Sequence, residues 1–305
     1  MLKKEILCEW PIKFLQDNLR GVCGGDFIVI ACASGAGKST LSRLIAMKAR
    51  DNNQPVVLYS LENQVGTFLT EETRMEAFRD GVETDNTRDF AIDNTLNPAK
   101  YEKYRMAVIE RGQKTSPDGL RLLMVHEDVA TTNWTITRLI KSMKDEIAMG
   151  YKLFIIDHLD VLAPNDEYKE NVVVMRELWN LISTNNIGLI TFSQLRKNCS
   201  ALCPGQNDLR GGMNKVYKAT HLITLGRHDY GYYSPPPRFP NAKPTYVRIA
   251  KSRDARLECA VCYFDRGFYL DAYTKVICDE PGNYIDGMTR DKLQRYKKEN
   301  ERVSQ

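Results

Sequence analysis

The chain has 305 residues, 43% of them hydrophobic and 27% charged, with a formal net charge of +4. That balance is the one expected of a folded globular protein and excludes a disordered, highly charged chain. No uninterrupted apolar run approaches a membrane span, and Met1-Leu2-Lys3-Lys4-Glu5 does not open a secretory leader, so a cytoplasmic location is expected.

Along the chain, residues 1–20 carry Trp10-Pro11, Ile12, Phe14, Leu15 and Leu19 and read as a short amphipathic N-terminal segment. Phe27-Ile28-Val29-Ile30 predicts a buried strand, and Leu41–Ala49 has helical periodicity. Pro55–Glu62 predicts the next strand. The charged stretch 67–119 is helix-prone, with Asn97-Pro98 opening a helix near Lys100–Arg111. Strands at Leu120–Val125, Lys152–Asp157 and Ile187–Ser193 then alternate with helices at Trp134–Met149 and Val172–Asn185. This alternation predicts an α/β domain with a largely parallel sheet covered on both faces. The last third turns strand-rich at His221–Leu225, Tyr246–Ala250, Glu258–Phe264 and Phe268–Leu270. One domain over 21–278 is expected, followed by a charged tail over 279–305 whose default reading is a solvated or frayed end.

Between the first strand and the first long helix lies Ala31-Cys32-Ala33-Ser34-Gly35-Ala36-Gly37-Lys38-Ser39-Thr40. A strand, a Gly-rich loop and a helix form the context in which a Walker A phosphate loop is credible. Backbone N–H groups at the helix start, together with the helix dipole, attract a triphosphate. Ser34, Gly35, Ala36, Gly37, Lys38, Ser39 and Thr40 are therefore the candidate ATP-binding residues, with the Ser39 hydroxyl on Mg²⁺. Cys32 stands where the full motif has glycine. Asp157 ends the most apolar strand and is the second candidate Mg²⁺ ligand, since a hard cation prefers oxygen. Glu62 and Gln194 end two further strands. In a doubly wound sheet the carboxyl ends share one edge, so both are expected beside the γ-phosphate.

Taken together, Gly-Ala-Gly-Lys-Ser-Thr, Ser60-Leu61-Glu62, Ile155-Ile156-Asp157-His158-Leu159, Ser193-Gln194-Leu195-Arg196, Asp208-Leu209-Arg210-Gly211-Gly212 and Ile249-Ala250-Lys251-Ser252-Arg253 resemble the ATPase domain of DnaB-type replicative helicases. The likeness runs over about residues 21–270. The phosphate loop is similar to those of phage helicase–primases and of Twinkle, which also lack the first glycine. The resemblance implies a RecA-like P-loop fold and an ATP-dependent DNA helicase, a replicative motor of phage or plasmid type moving 5′ to 3′ on single-stranded DNA. It implies Glu62 as catalytic base and Gln194 as the link from γ-phosphate to the DNA loops. Lys251 and Arg253 would then act in trans on the ATP of an adjacent subunit, within a homo-oligomer, most simply a hexamer. On their own, these two residues would form a basic strand face.

The segment from Arg196-Lys197-Asn198 to Lys215 is rich in basic residues, and Arg196, Lys197, Arg210 and Lys215 are the candidate DNA contacts, against the alternative of a solvated loop. The rival reading is a DNA-stimulated RecA-like ATPase that serves as recombination mediator, loader or assembly factor without unwinding. Measured against the family, a primase or zinc-binding domain before the motor is not expected, and most of the family's linker helix would lie upstream of Trp10. The resemblance also implies a primase, polymerase or loader as a candidate partner. His158 and Asp160 depart from the bacterial pattern, and Tyr230–Pro240 reads as a stiff hairpin extension. The eight cysteines suit a reducing compartment. Cys259 and Cys262, three apart on a strand, face opposite sides and are expected to be structural rather than zinc ligands with Cys199 and Cys203.

Overall fold

The computed structural model describes residues 5–32, 36–64, 66–82, 87–128, 134–163, 168–196, 204–210, 213–227, 237, 241–265 and 268–276. In chain order the elements are β1 (Ile6–Cys8), α1 (Lys13–Leu19), β2 (Val22–Cys23), β3 (Phe27–Cys32), α2 (Lys38–Asp51), β4 (Val56–Gln64), α3 (Thr67–Arg79), α4 (Thr87–Leu96), α5 (Pro98–Gly112) and β5 (Leu123–Asp128). They continue as α6 (Ile136–Met149), β6 (Leu153–Asp157), α7 (Tyr168–Asn185), β7 (Gly188–Gln194), α8 (Met213–Lys218), β8 (His221–Arg227), β9 (Lys243–Ser252), β10 (Cys259–Asp265) and β11 (Phe268–Val276). Short 3₁₀ turns occupy Leu159–Leu162 and Gln206–Asp208.

Nine strands form one sheet in the order β11-β10-β9-β8-β3-β7-β6-β4-β5, parallel from β8 through β5 and antiparallel from β8 out to β11. The period-two pattern of the buried strands divides the core. Ile28, Ile30, Leu58, Ile155 and Phe192 face α1, α2 and α3, whereas Phe27, Val29, Val57, Phe154 and Ile156 face α6 and α7. The expected α/β architecture is present. Trp10, Ile12, Phe14 and Leu15 of the N-terminal segment are buried in the first of these cores, and β1 pairs with β2.

Where elements differ from expectation, the causes are local. Helix α6 begins at Ile136 rather than Trp134 because Thr135 caps it, its hydroxyl accepting from the Arg138 N–H at 3.3 Å. Helix α3 buries Glu71, Glu72 and Arg74, residues that hydropathy assigns to solvent. Arg50 on α2 answers Glu72 at 2.6 Å, and Arg43 approaches Glu71 at 3.7 Å. Strands β9 and β11 run past their apolar centres because β10 lies between them and bonds to both. Cys262 faces the first core with Ala260, while Cys259 is buried elsewhere on β10. Among the described residues no group of His, Cys, Asp or Glu is arranged to hold a metal by three such ligands. Cys199, Cys203, the greater part of 230–240 and the tail lie outside the described residues.

Candidate active site

Strand β3 leads out of the core into the Gly-rich loop, and α2 starts on its far side. Gly37 is the N-cap, with φ +91°, a left-handed conformation in which a side chain would be strained. It contributes no capping side chain, and the first turn holds no acid. Among the described residues, no side chain caps the positive end of this 14-residue helix, which suits an anion. Lys38 opens that turn, 8% exposed, with Ser39 and Thr40 following it and Ala36 buried before it. Ser34 and Gly35 lie outside the described residues. Cys32 is fully buried in the core and its thiol is pushed up by that burial, so it acts as a packing residue at the end of the strand.

Asp157 stands beside this turn on β6, paired in register with Ser60 of β4, which puts Glu62 just beyond the same edge. Asp157 is 2% exposed. Its Oδ2 accepts from the Ser42 hydroxyl of α2 at 3.1 Å, and its Oδ1 is buried with no hydrogen-bond partner. A buried carboxylate oxygen without a donor is costly, and it is the atom a divalent cation would satisfy. The Asp157 carboxylate and the Ser39 hydroxyl of the first turn of α2 would supply oxygen ligands of the kind Mg²⁺ takes. Glu62 is half exposed, with Oε2 3.1 Å from His158 Nδ1. The adjacent imidazole, reinforced by Lys38, holds its carboxyl below the usual range despite partial burial. Gln194 ends β7 opposite Cys32 of β3, so the phosphate-loop strand and this glutamine share an edge.

Behind Gln194 lies a polar cluster that reading the sequence did not anticipate. Asp160, on the turn after β6, accepts from the Gln194 N–H at 2.8 Å and from the Lys215 ammonium at 2.6 Å. Lys215 also donates to Ser193 Oγ at 3.1 Å and to the Arg210 carbonyl at 3.0 Å. At 1% exposure, Lys215 is not the free DNA contact expected of it. Its charge is enclosed and matched by Asp160, and this corrects that assignment. The available signal was the spacing of Asp157 and Asp160 on one strand-to-turn segment. Gln194 Nε2 lies 3.4 Å from His158 Nε2, and its Oε1 accepts from Arg210 at 3.4 Å.

Arg196 and Arg210 are brought together. Arg196 N–H donates to the Asp208 carbonyl at 2.8 Å, Arg210 N–H to the Gln194 carbonyl at 3.0 Å, and Leu195 bridges Leu209. The Asp208-Leu209-Arg210 segment is thus stitched to the end of β7. Arg196 is exposed and Arg210 half-buried, while Lys197 lies outside the described residues.

Lys251 and Arg253 are not brought to this edge. Ser252 pairs with His221, which pairs with Ile28, four residues before Cys32. At about 3.3 Å per residue Ser252, between the two cations, stands roughly 13 Å along the strands from the end of β3. Lys251 instead donates to the carbonyls of Val216 and Tyr217 at the end of α8. Burial and the neighbouring Arg253 lower its pKa. The Arg253 guanidinium lies 5.2 Å from the centre of the Trp179 ring.

A family model for the DnaB-like helicase C-terminal domain matches residues 11–270. The chain belongs to that family. Among solved structures, a DnaB-like replicative helicase described with its interactions with primase aligns at TM-score 0.69 and 18% identity, over 85% of this chain and 62% of its own. A separately solved ATPase domain aligns at TM-score 0.69 and 17% identity, over 86% of this chain and 90% of its own. A KaiC-like protein from Pyrococcus horikoshii aligns at TM-score 0.52 and 13% identity, over 91% of this chain and all of its own. These likenesses establish the RecA-like fold of the DnaB-like domain. The chain spans less than two thirds of the first of these structures. No curated protein is matched by sequence. Among the described residues no helix is long and apolar enough to cross a membrane.

Proposed function

We propose that this DnaB-like domain is an ATP-hydrolysing motor that assembles with copies of itself, most simply as a hexamer, and moves along single-stranded DNA in phage or plasmid replication. The observation that supports it best is the separation of two half-sites. The open helix start, Asp157 and Glu62 gather at one sheet edge, while Lys251 and Arg253 stand some four residues of strand away. A protomer so built carries Lys251 and Arg253 away from its own phosphate-binding edge, which suits cations lent to a neighbour.

In the reaction, the first turn of α2 and Lys38 bind the β- and γ-phosphates. Held by Ser39 and Asp157, Mg²⁺ would neutralise phosphate charge. Glu62 is positioned to take a proton from the attacking water, which forms the new P–O bond as the bond from the γ-phosphorus to the bridging oxygen breaks. Arg253 of a neighbouring copy stabilises the charge spread over the transferring group, as a guanidinium supplied from next door does in other phosphoryl-transfer enzymes. Gln194 passes the γ-phosphate state to Arg210, a role supported by the hydrogen bond between their side chains, and Arg196 with Arg210 suits a sequence-tolerant grip on a phosphate backbone. A primase, polymerase or loader is the expected partner.

The test pairs ATP turnover, with and without oligonucleotide, with unwinding of a forked duplex. Turnover stimulated by single strands together with strand separation supports the motor. Stimulated turnover without unwinding would reassign the chain to a mediator or loader, and turnover indifferent to DNA would refute both.

A further inference from the structure

The six-residue helix α8 is tied at both ends by lysines, its own Lys215 at the start and Lys251 of β9 at the end. At its start Lys215 reaches into the polar cluster, bonded to Asp160, Ser193 and the Arg210 carbonyl. At its end the carbonyls of Val216 and Tyr217 receive Lys251. A second stitch runs in parallel. Strand β9 bulges opposite Leu222 and Ile223, and the Ala250 carbonyl accepts from Gln206 at 2.8 Å, on the turn that opens the Asp208-Leu209-Arg210 segment. Asp160 meanwhile holds the Gln194 N–H and lies 3.6 Å from His158 Nε2, whose other ring nitrogen faces Glu62.

We propose that Lys215 is a positioning residue that couples the nucleotide site of its own protomer to the strand bearing Lys251 and Arg253, through its buried ion pair with Asp160 and the short helix α8. A change at Glu62 or Gln194 that moves Asp160 must move Lys215 with it, because an enclosed ammonium separated from its carboxylate is left uncompensated. The helix then carries Lys251 and, two residues on, Arg253. One protomer's nucleotide state thereby sets the cation it presents to a neighbour. The inference rests on the motor reading, and it assigns to Lys215 a mechanical role in place of the DNA contact that its charge suggested.

Hydrogen exchange of the full chain, with and without Mg²⁺ and a nonhydrolysable ATP analogue, reads this directly. In the wild type the analogue slows amide exchange by about tenfold both in 38–44 and in 246–253. In Lys215→Met it still does so in 38–44 but no longer in 246–253, and Lys215→Arg restores the distal effect. If Lys215→Met does not fold, Asp160→Asn/Lys215→Met, which leaves no unmatched charge, carries the same test. Distal protection that survives the loss of Lys215 overturns the proposal, as does wild-type protection confined to 38–44. Absence of protection at 38–44 in the wild type would instead defeat the motor reading itself.

Discussion

Asp157→Asn should separate stability from function. In the free protein the Asp157 carboxylate is buried, with one oxygen on Ser42 and the other without a donor. Leaving a buried polar atom unsatisfied costs about 1–3 kcal/mol, and more when it is charged. The isosteric amide keeps the acceptor for Ser42 and removes the charge, but sets an NH₂ without an acceptor where Oδ1 stood. Against this stands the lost attraction to Arg43, whose guanidinium is already opposed by Glu71 at 3.7 Å. The nucleotide-free variant should therefore lie within about 1–2 kcal/mol of the wild type, a shift of no more than a few °C in melting temperature at roughly 2–4 °C per kcal/mol. With ATP and Mg²⁺ the two proteins diverge. Ligand at a hundred times Kd stabilises the native state by about 2.7 kcal/mol, and the Mg²⁺-dependent part of that gain should vanish with the carboxylate. Turnover should fall by at least about 100-fold, the loss of several kcal/mol of metal-borne charge stabilisation. Calorimetry with ATP, with Mg²⁺ and with both gives the comparison. A nucleotide-free variant destabilised by more than about 2 kcal/mol would show that the carboxylate is a structural anchor, and the metal assignment would fall.

Glu62→Gln should abolish turnover while nucleotide binding persists. Because the folded pKa of Glu62 is lowered, the wild-type base stays ionised below the usual carboxylate range, and its stabilising pairing is present above the unfolded pKa and lost only as pH falls through the folded one. The acid limb of the kcat/KM profile should accordingly lie below the ordinary glutamate range, and a limb above it would refute this environment. Cys32, fully buried with its thiol pushed up, should resist alkylation in the native state and react on unfolding. Rapid native labelling at Cys32 would contradict its packing role. Glu72→Ala leaves the buried Arg50 with only the exposed Asp51, 3.0 Å from its Nε, and should cost about 3 kcal/mol in urea denaturation, the low end for a broken buried pair, much of it regained in Arg50→Met/Glu72→Leu. A loss near zero would mean the pair is solvated.

Much of the fold was legible because the parallel strands are apolar on both faces and the helices between them are periodic. The gathering of Lys38, Asp157, Glu62 and Gln194 was legible too, since each lies at or just after the carboxyl end of a strand and those ends had to reach one edge. What escaped is polar burial. Lys215 read as a surface cation because hydropathy takes no account of Asp160, which is distant in sequence yet adjacent across the edge. Likewise α3 showed no clean stripe, since Glu71, Glu72 and Arg74 are buried through partners on other elements or one turn away. The ladder of β1 and β2 is too short to leave a pattern, and the lengths of β9 and β11 depend on β10 rather than on their own residues.

The most direct test of a site shared between copies is to mix two inactive variants. Lys38→Ala has no competent phosphate loop but keeps its cation, whereas Arg253→Ala keeps the loop and lacks the cation. Each alone should show negligible turnover, while the mixture regains it, because some interfaces join an intact loop to an intact Arg253. A mixture that stays silent, or an Arg253→Ala protein that turns over ATP at the wild-type rate, would contradict the account.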